Sequence, residues 1–336
     1  MESIGLDDAR GKSGYLGMEI GELAAWLAVT WGNVRPERQL RTRFLAPPSP
    51  DMFLLRLGEI VREVSGGDAL NGVGVASWTP VNSERGVIQA GSLMQEWADI
   101  SLDTRLRELL RAPVRLRAAV DAAALAEAEK GAGQGANPMV YVHLGREVLS
   151  SLVYDREPVL GAYGQSGRIG HWQVVDDGPR CACGVTGHLN PLCSSQGFIR
   201  LAIGLAAQDD IALEAVSEAT GGRVESLTAS RIVALADAGV DALHDLVRRS
   251  ADALGLALAR LSLAVDPAVI VLGGPLGRAG ELFIEWTRER MAAELRKMSA
   301  GGQAPQLVSA SLEPQSALTG AWLLGNKAAK DDTYTR

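Results

Sequence analysis

Hydrophobic positions alternate between the strand period and the helix period along most of the chain. Apolar segments predict strands at Tyr15–Val34, which forms a two-stranded hairpin, and at Gln39–Leu45, Gly72–Ser77, Val114–Arg117, Pro138–Leu144, Val148–Tyr154 and Ala268–Leu272. Helical periodicity predicts helices at Met52–Val64, Leu102–Arg111, Asp121–Lys130, Phe283–Lys297 and Ala317–Leu324, and three helical stretches in the segment that ends with Asp241–Val265. Because strands and helices alternate, the pattern indicates α/β layers.

The composition is that of a globular protein with a large core. The chain has 336 residues, of which 47% are hydrophobic and 22% are charged, so it suits two domains or one large one. A net charge of −7 argues against a mainly basic surface for nucleic acid. Three cysteines are too few for a disulfide scaffold, Met1–Gly14 is too polar for a signal peptide, and no run of about 18 apolar residues occurs. We therefore expect a cytoplasmic protein that does not span a membrane.

Two histidines and two cysteines lie within one short segment. His171, Cys181, Cys183 and His188 offer imidazole and thiolate ligands, which suit the tetrahedral coordination of Zn²⁺. Because all four ligands come from protein, the pattern predicts a structural zinc rather than a catalytic one. The alternative is an exposed loop with incidental thiols.

The same segment resembles a known motif. Gly167-Arg168-Ile169-Gly170-His171 and the run Cys181-Ala182-Cys183-Gly184-Val185-Thr186-Gly187-His188 are similar to the G-E-I-G-H and C-x-C-G-x-x-G-C-L-E motifs of the ROK (repressor, open reading frame, kinase) family. Arg168 stands where the family has its first Glu, His188 where it has its last Cys, and Asn190 where it has its second Glu. The resemblance extends from about Tyr15 to Leu324.

The resemblance implies a two-lobed α/β fold of the actin-like ATPase (ribonuclease H-like) type with a zinc-binding loop, in which sugar and ATP meet in a cleft between the lobes. We expect residues 1–14 to form a flexible N-terminus. Residues 15–120, completed by a C-terminal helix at 315–328, would form the N-terminal lobe. Residues 121–314 would form the C-terminal lobe with the zinc loop.

The phosphate-binding loops of the family are altered in this chain. The family sequence D-I-G-G-T-K corresponds to Glu19–Ala24, where a carboxylate and a leucine replace Gly and Thr. The G-T-G-I-G loop corresponds to Gly145–Leu149 and retains one of its three glycines. Gly273 and Gly274 still match the family near the nucleotide, but they also suit an ordinary strand-to-helix turn. ATP binding is therefore doubtful from the sequence.

The position of the catalytic base has also changed. The family Asp of N-D-A-N-A-A-A-L-A-E falls on Ala119, and Asp121 lies two residues further on. Two residues of a helix turn a side chain by about 200°. Asp121 is thus a weak candidate for the base. The alternative is that Asp121 is the N-cap residue of its helix.

The sugar-binding positions of the family correspond to Ser92, Arg168, Asn190 and His171. A guanidinium at position 168 favours an anionic or carboxylate-bearing ligand. The alternative for Arg168 is a structural ion pair with a neighbouring acid, for example Asp176 or Asp177. His143 could line the same cleft, or it is a satisfied core residue.

These substitutions favour a non-catalytic, ROK-like protein that binds a small sugar-like or anionic effector in a regulatory role. One alternative is a pseudoenzyme or scaffold subunit, or an enzyme repurposed on the same fold. A further alternative is an ATP-dependent sugar kinase of the glucokinase or N-acetylhexosamine kinase type. We expect a homodimer. Because only 14 residues precede the predicted body, contact with DNA would need a partner or a further N-terminal domain.

Overall fold

The computed structural model of the chain describes residues 14–21, 24–31, 38–43, 49–65, 69–83, 85–89, 95–97, 100–298 and 303–334. Its strands are β1 (Gly14–Ile20), β2 (Ala24–Trp31), β3 (Arg38–Arg43), β4 (Leu70–Ser77), β5 (Val81–Asn82), β6 (Val87–Ile88), β7 (Val114–Ala118), β8 (Met139–Leu144), β9 (Val148–Tyr154), β10 (Glu157–Pro158), β11 (Val269–Gly273) and β12 (Gln306–Ser309). Its helices are α1 (Pro50–Ser65), α2 (Leu102–Leu110), α3 (Ala119–Lys130), α4 (Leu189–Cys193), α5 (Ser195–Ala206), α6 (Asp210–Thr220), α7 (Ala229–Asp237), α8 (Asp241–Val265), α9 (Gly274–Gly277), α10 (Glu281–Met298) and α11 (Ser316–Tyr334). The predicted α/β class is confirmed.

The three helical stretches predicted in the segment up to Val265 are divided further, into α4 to α8. Ser194, Asp209 and Thr228 each accept a hydrogen bond from the backbone N–H three residues later, at the starts of α5, α6 and α7. Such N-caps satisfy backbone donors that have no partner inside the helix. The apolar period runs on through these breaks, which is why periodicity alone merged neighbouring helices.

The chain divides into two compact units. Unit 1 comprises residues 1–126, 160–165 and 315–336, and unit 2 comprises residues 127–159 and 166–314. The division lies within α3, after Ala126. A short segment that follows β10 in the sequence, residues 160–165, also belongs to unit 1, where the backbone carbonyl of Tyr163 accepts a hydrogen bond from Gln89.

Unit 1 is built on a five-stranded sheet in the order β3-β2-β1-β4-β7. β1, β2 and β3 are antiparallel neighbours, which confirms the predicted hairpin and third strand, whereas β4 is parallel to both β1 and β7. The predicted strand ends at 32–34 and 44–45 lie outside the described residues. The core includes Leu16 and Met18 of β1 and Phe53 of α1, and Phe53 packs edge-on against Trp97 with ring centroids 5.0 Å apart.

Glycines allow α11 to lie directly on β1 and β4. A Cβ atom added to Gly17 would lie 2.6 Å from the backbone nitrogen of Trp322. A Cβ added to Gly74 would overlap the carbonyl oxygen of Ala321 and lie 2.5 Å from the backbone nitrogen of Gly325. Real Cβ atoms do not approach backbone so closely, so this packing needs glycine at both strand positions.

Gly74→Ala is therefore expected to destabilise the protein by about 3 kcal/mol, because neither backbone can move aside without disturbing the sheet. Urea unfolding measures this difference. Gly204→Ala is the matched control, since Gly204 lies in α5 with no atom within 4 Å of the added Cβ. That control should stabilise the helix by about 0.5–1 kcal/mol. Equal effects of the two substitutions would contradict the packing described here.

Unit 2 is built on a second five-stranded sheet in the order β10-β9-β8-β11-β12. β8, β11 and β12 run parallel, whereas β9 is antiparallel to β8. The central helix α8 packs against α10 and α7, and its buried face includes Leu246, Leu254 and Leu258. The parallel strands end at one edge of the sheet, followed by Gly145, Gly274 and the loop at 310–315.

Among the helices in the described ranges, none is long and apolar enough to cross a membrane.

Candidate functional site

Four side chains of unit 2 converge on one point. The ligand atoms of His171, Cys181, Cys183 and His188 all lie within 4.8 Å of one another. Cys183 Sγ is 3.3 Å from His188 Nδ1, and Cys181 Sγ is 4.0 Å from His171 Nδ1. Two thiols and two imidazoles at these separations form a donor set that could hold a metal ion.

Tight turns in the loop bring these ligands together. Gly184 and Gly187 have φ values of 95° and 76°, which favour glycine. Cys181 N–H donates to the carbonyl of Val185, and Gly184 N–H donates to the carbonyl of Cys181, at 2.8 and 2.9 Å. His171 closes a 3₁₀ turn that begins at Ile169. The cluster predicted from the sequence is thus assembled by the local backbone.

Protonation of the ligands bears on metal binding. Burial lowers the pKa of His171, and the nearby Arg168 charge lowers it further, which favours the neutral imidazole that binds metals. Burial raises the pKa of the Cys181 thiol. A metal must therefore displace the thiol proton, so metal affinity is expected to fall as the pH falls.

Arg168 lies beside the cluster. Its Nη2 atom is 3.4 Å from His171 Nε2 and 3.8 Å from Glu147 Oε2. The sequence suggested Asp176 or Asp177 as partners, whereas the structure shows an ion pair with Glu147, on the turn between β8 and β9. The side chain of Arg168 is 35% exposed. It could accordingly also face an anionic ligand from solvent.

Of the other two predicted sugar-binding residues, Asn190 and Ser92, the structure describes only Asn190. Asn190 is buried in α4, and its Oδ1 atom accepts a hydrogen bond from Val148 N–H at 2.7 Å. The amide thereby joins α4 to the start of β9. Ser92 lies outside the described residues, as do Glu22 and Leu23 of the first altered loop.

Asp121 lies in the first turn of α3, which starts at Ala119 immediately after β7. The N-cap interpretation of Asp121 is therefore wrong, because an N-cap residue precedes the first helical residue. The high helix propensity of the Ala-rich sequence explains the earlier start. Asp121 is half-buried.

A second polar cluster lies at the ends of β8 and β11. Tyr141 Oη donates a 2.6 Å hydrogen bond to Glu313 Oε1, and Gly274 N–H donates to the same oxygen at 3.1 Å. His143 Nδ1 is 3.3 Å from Tyr141 Oη and 3.7 Å from Glu313 Oε1. Gly273 and Gly274 thus form a turn that also holds a buried carboxylate.

The pKa of Glu313 lies far below that of an ordinary glutamate. Burial by itself raises the pKa of Glu313, but hydrogen bonds from His143 and Tyr141, the charge of His143 and the Gly274 N–H lower it to about 2. In the unfolded chain a glutamate pKa is about 4.3. The charged carboxylate therefore stabilises the folded state above pH 4.3, and this contribution is lost as the pH falls towards 2.

Acidification from about pH 5 to about pH 2 should accordingly remove roughly 3 kcal/mol of stability that depends on Glu313. Glu313→Gln is expected to show a correspondingly weaker pH dependence in urea unfolding. Glu218→Gln, at an exposed position of α6, is the control and should behave like the original protein. The same pH dependence in Glu313→Gln as in the original protein would contradict this assignment.

Solved structures with this architecture are sugar kinases and a transcriptional regulator of one family, so the fold is of the actin-like ATPase type, as predicted. Residues 15–328 match the ROK family, and the chain belongs to it.

Particular relatives are named as kinases. A glucokinase of Halalkalibacterium halodurans is 30% identical over 230 residues, which are 68% of this chain and 68% of the relative. The crystal structure of a ROK hexokinase from Thermus thermophilus has a TM-score of 0.78 and 26% identity, and covers 95% of this chain and 99% of that one. The structure of a ROK family glucokinase from Streptomyces griseus in complex with glucose and AMPPNP has a TM-score of 0.77 and 24% identity, and covers 94% and 100%.

These relatives correct the expectation of a non-catalytic regulator, because the similarity favours a kinase over an effector-binding protein without activity. Each altered position was taken by itself as a loss, although single substitutions do not exclude the reaction of the family. Ala119 and Asp121 both lie in α3, so the displacement of Asp121 by two helical residues remains.

Proposed function

We propose that the protein is an ATP-dependent sugar kinase of the ROK family. The observation that carries this proposal is the 30% identity with a glucokinase over two thirds of both chains. The wider likeness to the T. thermophilus hexokinase, over 95% of this chain, supports it. We take the two compact units as the two lobes of the kinase.

In this proposal Asp121 acts as the general base. Phosphoryl transfer needs a carboxylate that accepts the proton of the attacking sugar hydroxyl, while the phosphates are held in line. Asp121 is the acidic residue in the first turn of α3. The positive end of the helix dipole lies at that turn and favours the ionised carboxylate. An ionised carboxylate is the form that can accept a proton.

Arg168 and His171 are proposed to contact the sugar, together with Ser92 and Asn190. Arg168 gives this group a positive charge where the family motif has a glutamate. We therefore expect a preference for sugars that carry an anionic or acidic substituent. For the nucleotide, Gly273 and Gly274 at the end of β11 are the proposed backbone contacts.

We propose zinc as the metal of the His171, Cys181, Cys183 and His188 cluster. All four positions of a tetrahedron are then filled by protein, so the ion would stabilise the loop and leave no place for substrate. A homodimer in the cytoplasm remains our prediction, and the three free cysteines agree with a reducing compartment.

Sugar-dependent release of ADP tests the proposed function. The zinc-loaded protein is mixed with ATP, Mg²⁺ and a panel that contains glucose, N-acetylmannosamine, glucuronate and glucosamine, and ADP is measured against a sugar-free control. We expect at least one sugar to raise ADP release above that control. No increase with any member of an extended hexose panel would contradict the proposal.

A further inference from the structure

We propose that Asn190 is a positioning residue for sugar binding: it fixes the turn between β8 and β9 and, through that turn, the place and direction of Arg168. The inference rests on the proposed function, in which Arg168 contacts the sugar. It gives Asn190 a role that needs no sugar contact of its own.

The side chain of Asn190 is bonded inside the protein. Its Oδ1 atom accepts a 2.7 Å hydrogen bond from the N–H of Val148, the first residue of β9, and both residues are buried. Because only an oxygen can accept from an N–H group, this bond also determines which way the amide is turned. Removal of the oxygen would leave a buried N–H group without its acceptor, so the bond holds the start of β9 against α4.

The backbone on both sides of Arg168 lies against β9 and Asn190. Ser150 N–H donates to the carbonyl of Gly167 at 2.8 Å. A Cβ atom added to Gly167 would collide with the carbonyl oxygen of Ser150. A Cβ atom added to Gly170 would collide with Oδ1 of Asn190. Glycine is needed for these close approaches, and the position of Arg168 therefore follows that of β9 and of Asn190.

The direction of the Arg168 side chain depends on the same turn. Its Nη2 atom is 3.8 Å from Oε2 of Glu147, which directly precedes Val148. Both charged side chains are partly exposed, and an ion pair of this kind is too weak to hold a turn in place by itself. The bond from Val148 to Asn190 therefore keeps Glu147 close to the guanidinium.

The metal cluster has contacts of its own beside this bond. Leu189 N–H, next to the ligand His188, donates to the carbonyl of Trp172 at 3.0 Å. Trp172 directly follows the ligand His171. Because this bond does not involve the side chain of Asn190, we expect substitutions of Asn190 to leave the zinc ion bound. Zinc content is therefore a check that the loop of a variant is folded.

Two substitutions separate the oxygen of Asn190 from its amide nitrogen. Asn190→Leu is of similar size and lacks the acceptor, whereas Asn190→Asp keeps an oxygen at the same place and lacks the nitrogen. Both are assayed in the zinc-loaded full chain with the sugar of the panel above that is phosphorylated fastest. We expect Asn190→Leu to raise the KM for sugar roughly 3-fold to 10-fold with little change in kcat, because binding rather than chemistry is impaired. Asn190→Asp should recover most of the sugar affinity.

Hydrogen exchange of the sugar-free protein separates positioning from a direct sugar contact. Peptides that cover residues 145–150 and 166–172 should exchange faster in Asn190→Leu than in the original protein, since a buried N–H group has lost its acceptor. Asn190→Asp should exchange like the original protein. Peptides from α6 are the internal reference and should not change. A residue that only contacts sugar would leave exchange in the absence of sugar unaltered.

If Asn190→Leu does not fold, Glu147→Gln takes its place. It removes an exposed charge beside Arg168 and should raise the KM for sugar roughly 2-fold to 5-fold. Glu214→Gln, at an exposed position of α6, is the matched control and should leave KM and kcat unchanged. An unchanged KM in Glu147→Gln would then overturn the inference.

An unchanged KM or unchanged exchange in folded Asn190→Leu would overturn the inference, and so would an equal loss in Asn190→Asp. The proposed function fails separately. Faster exchange in Asn190→Leu, in a protein that phosphorylates no sugar of the panel, would retain the role of Asn190 in holding the turn and reject the kinase.

Discussion

Asp121→Asn is expected to lower kcat for sugar phosphorylation by about 10²–10⁴-fold while the KM for sugar changes little, because the amide cannot accept the proton of the attacking hydroxyl. The substitution is nearly isosteric, and the weaker interaction with the helix dipole costs about 0.3–1 kcal/mol. Initial rates of ADP release, measured at saturating ATP over a range of sugar concentrations, give both constants.

Glu129→Gln is the matched control for Asp121→Asn. Glu129 lies on the same helix, two turns further along, and the change removes the same charge. The control should retain the kcat of the original protein. If Asp121→Asn also retains it, Asp121 is not the base, and another group must accept the proton.

Removal of the metal should have the second large effect. Metal analysis of the purified protein is expected to give about one zinc ion per chain, and Cys181→Ser should lose the ion and at least about 4 kcal/mol of stability. The reason is that three remaining ligands hold zinc poorly, and the loop then loses the ion that joins four of its side chains. Thermal unfolding with and without a chelator measures the loss.

Cys193→Ser controls for the loss of a thiol as such. Cys193 is buried, and its sulfur donates to the carbonyl of Ser250 at 3.2 Å, outside the metal cluster. This variant should keep the zinc ion and its response to chelator. A metal-free protein that unfolds like the original would contradict the zinc assignment.

The metal cluster could be predicted from the sequence because its ligands are close in the chain. His171 and His188 are 17 positions apart, so a few glycine turns suffice to bring them together. The strands β1, β2 and β8 could be predicted for a similar reason, since each is specified by its own run of apolar residues. A metal cluster or strand of this kind can therefore be predicted from a short stretch of sequence.

The His143 cluster could not be predicted in the same way. Glu313 reaches Tyr141 across 172 positions, and it follows β12, a four-residue strand without a clear apolar alternation. Tyr141 and His143 lie two residues apart on β8 and so share a face, which is the signal that the sequence does offer. Their partner becomes evident only when β12 is placed beside β11.

The expectation of a non-catalytic protein failed for a different reason. Altered loops and a displaced carboxylate were taken as the loss of one reaction, whereas the similarity of the whole chain to kinases favours that reaction. Two residues at a helix terminus are within the usual error of sequence-based boundaries, and that error assigned Asp121 to a capping role.

Mass-spectrometric detection of the phosphorylated sugar tests the central claim most directly. The zinc-loaded protein, incubated with ATP, Mg²⁺ and the panel of hexoses, is expected to yield a sugar product heavier by one phosphoryl group, in an amount equal to the ADP formed. Asp121→Asn should yield almost none over the same time. No phosphorylated product from any sugar, in a protein that is folded and carries its zinc ion, would contradict the assignment as a kinase.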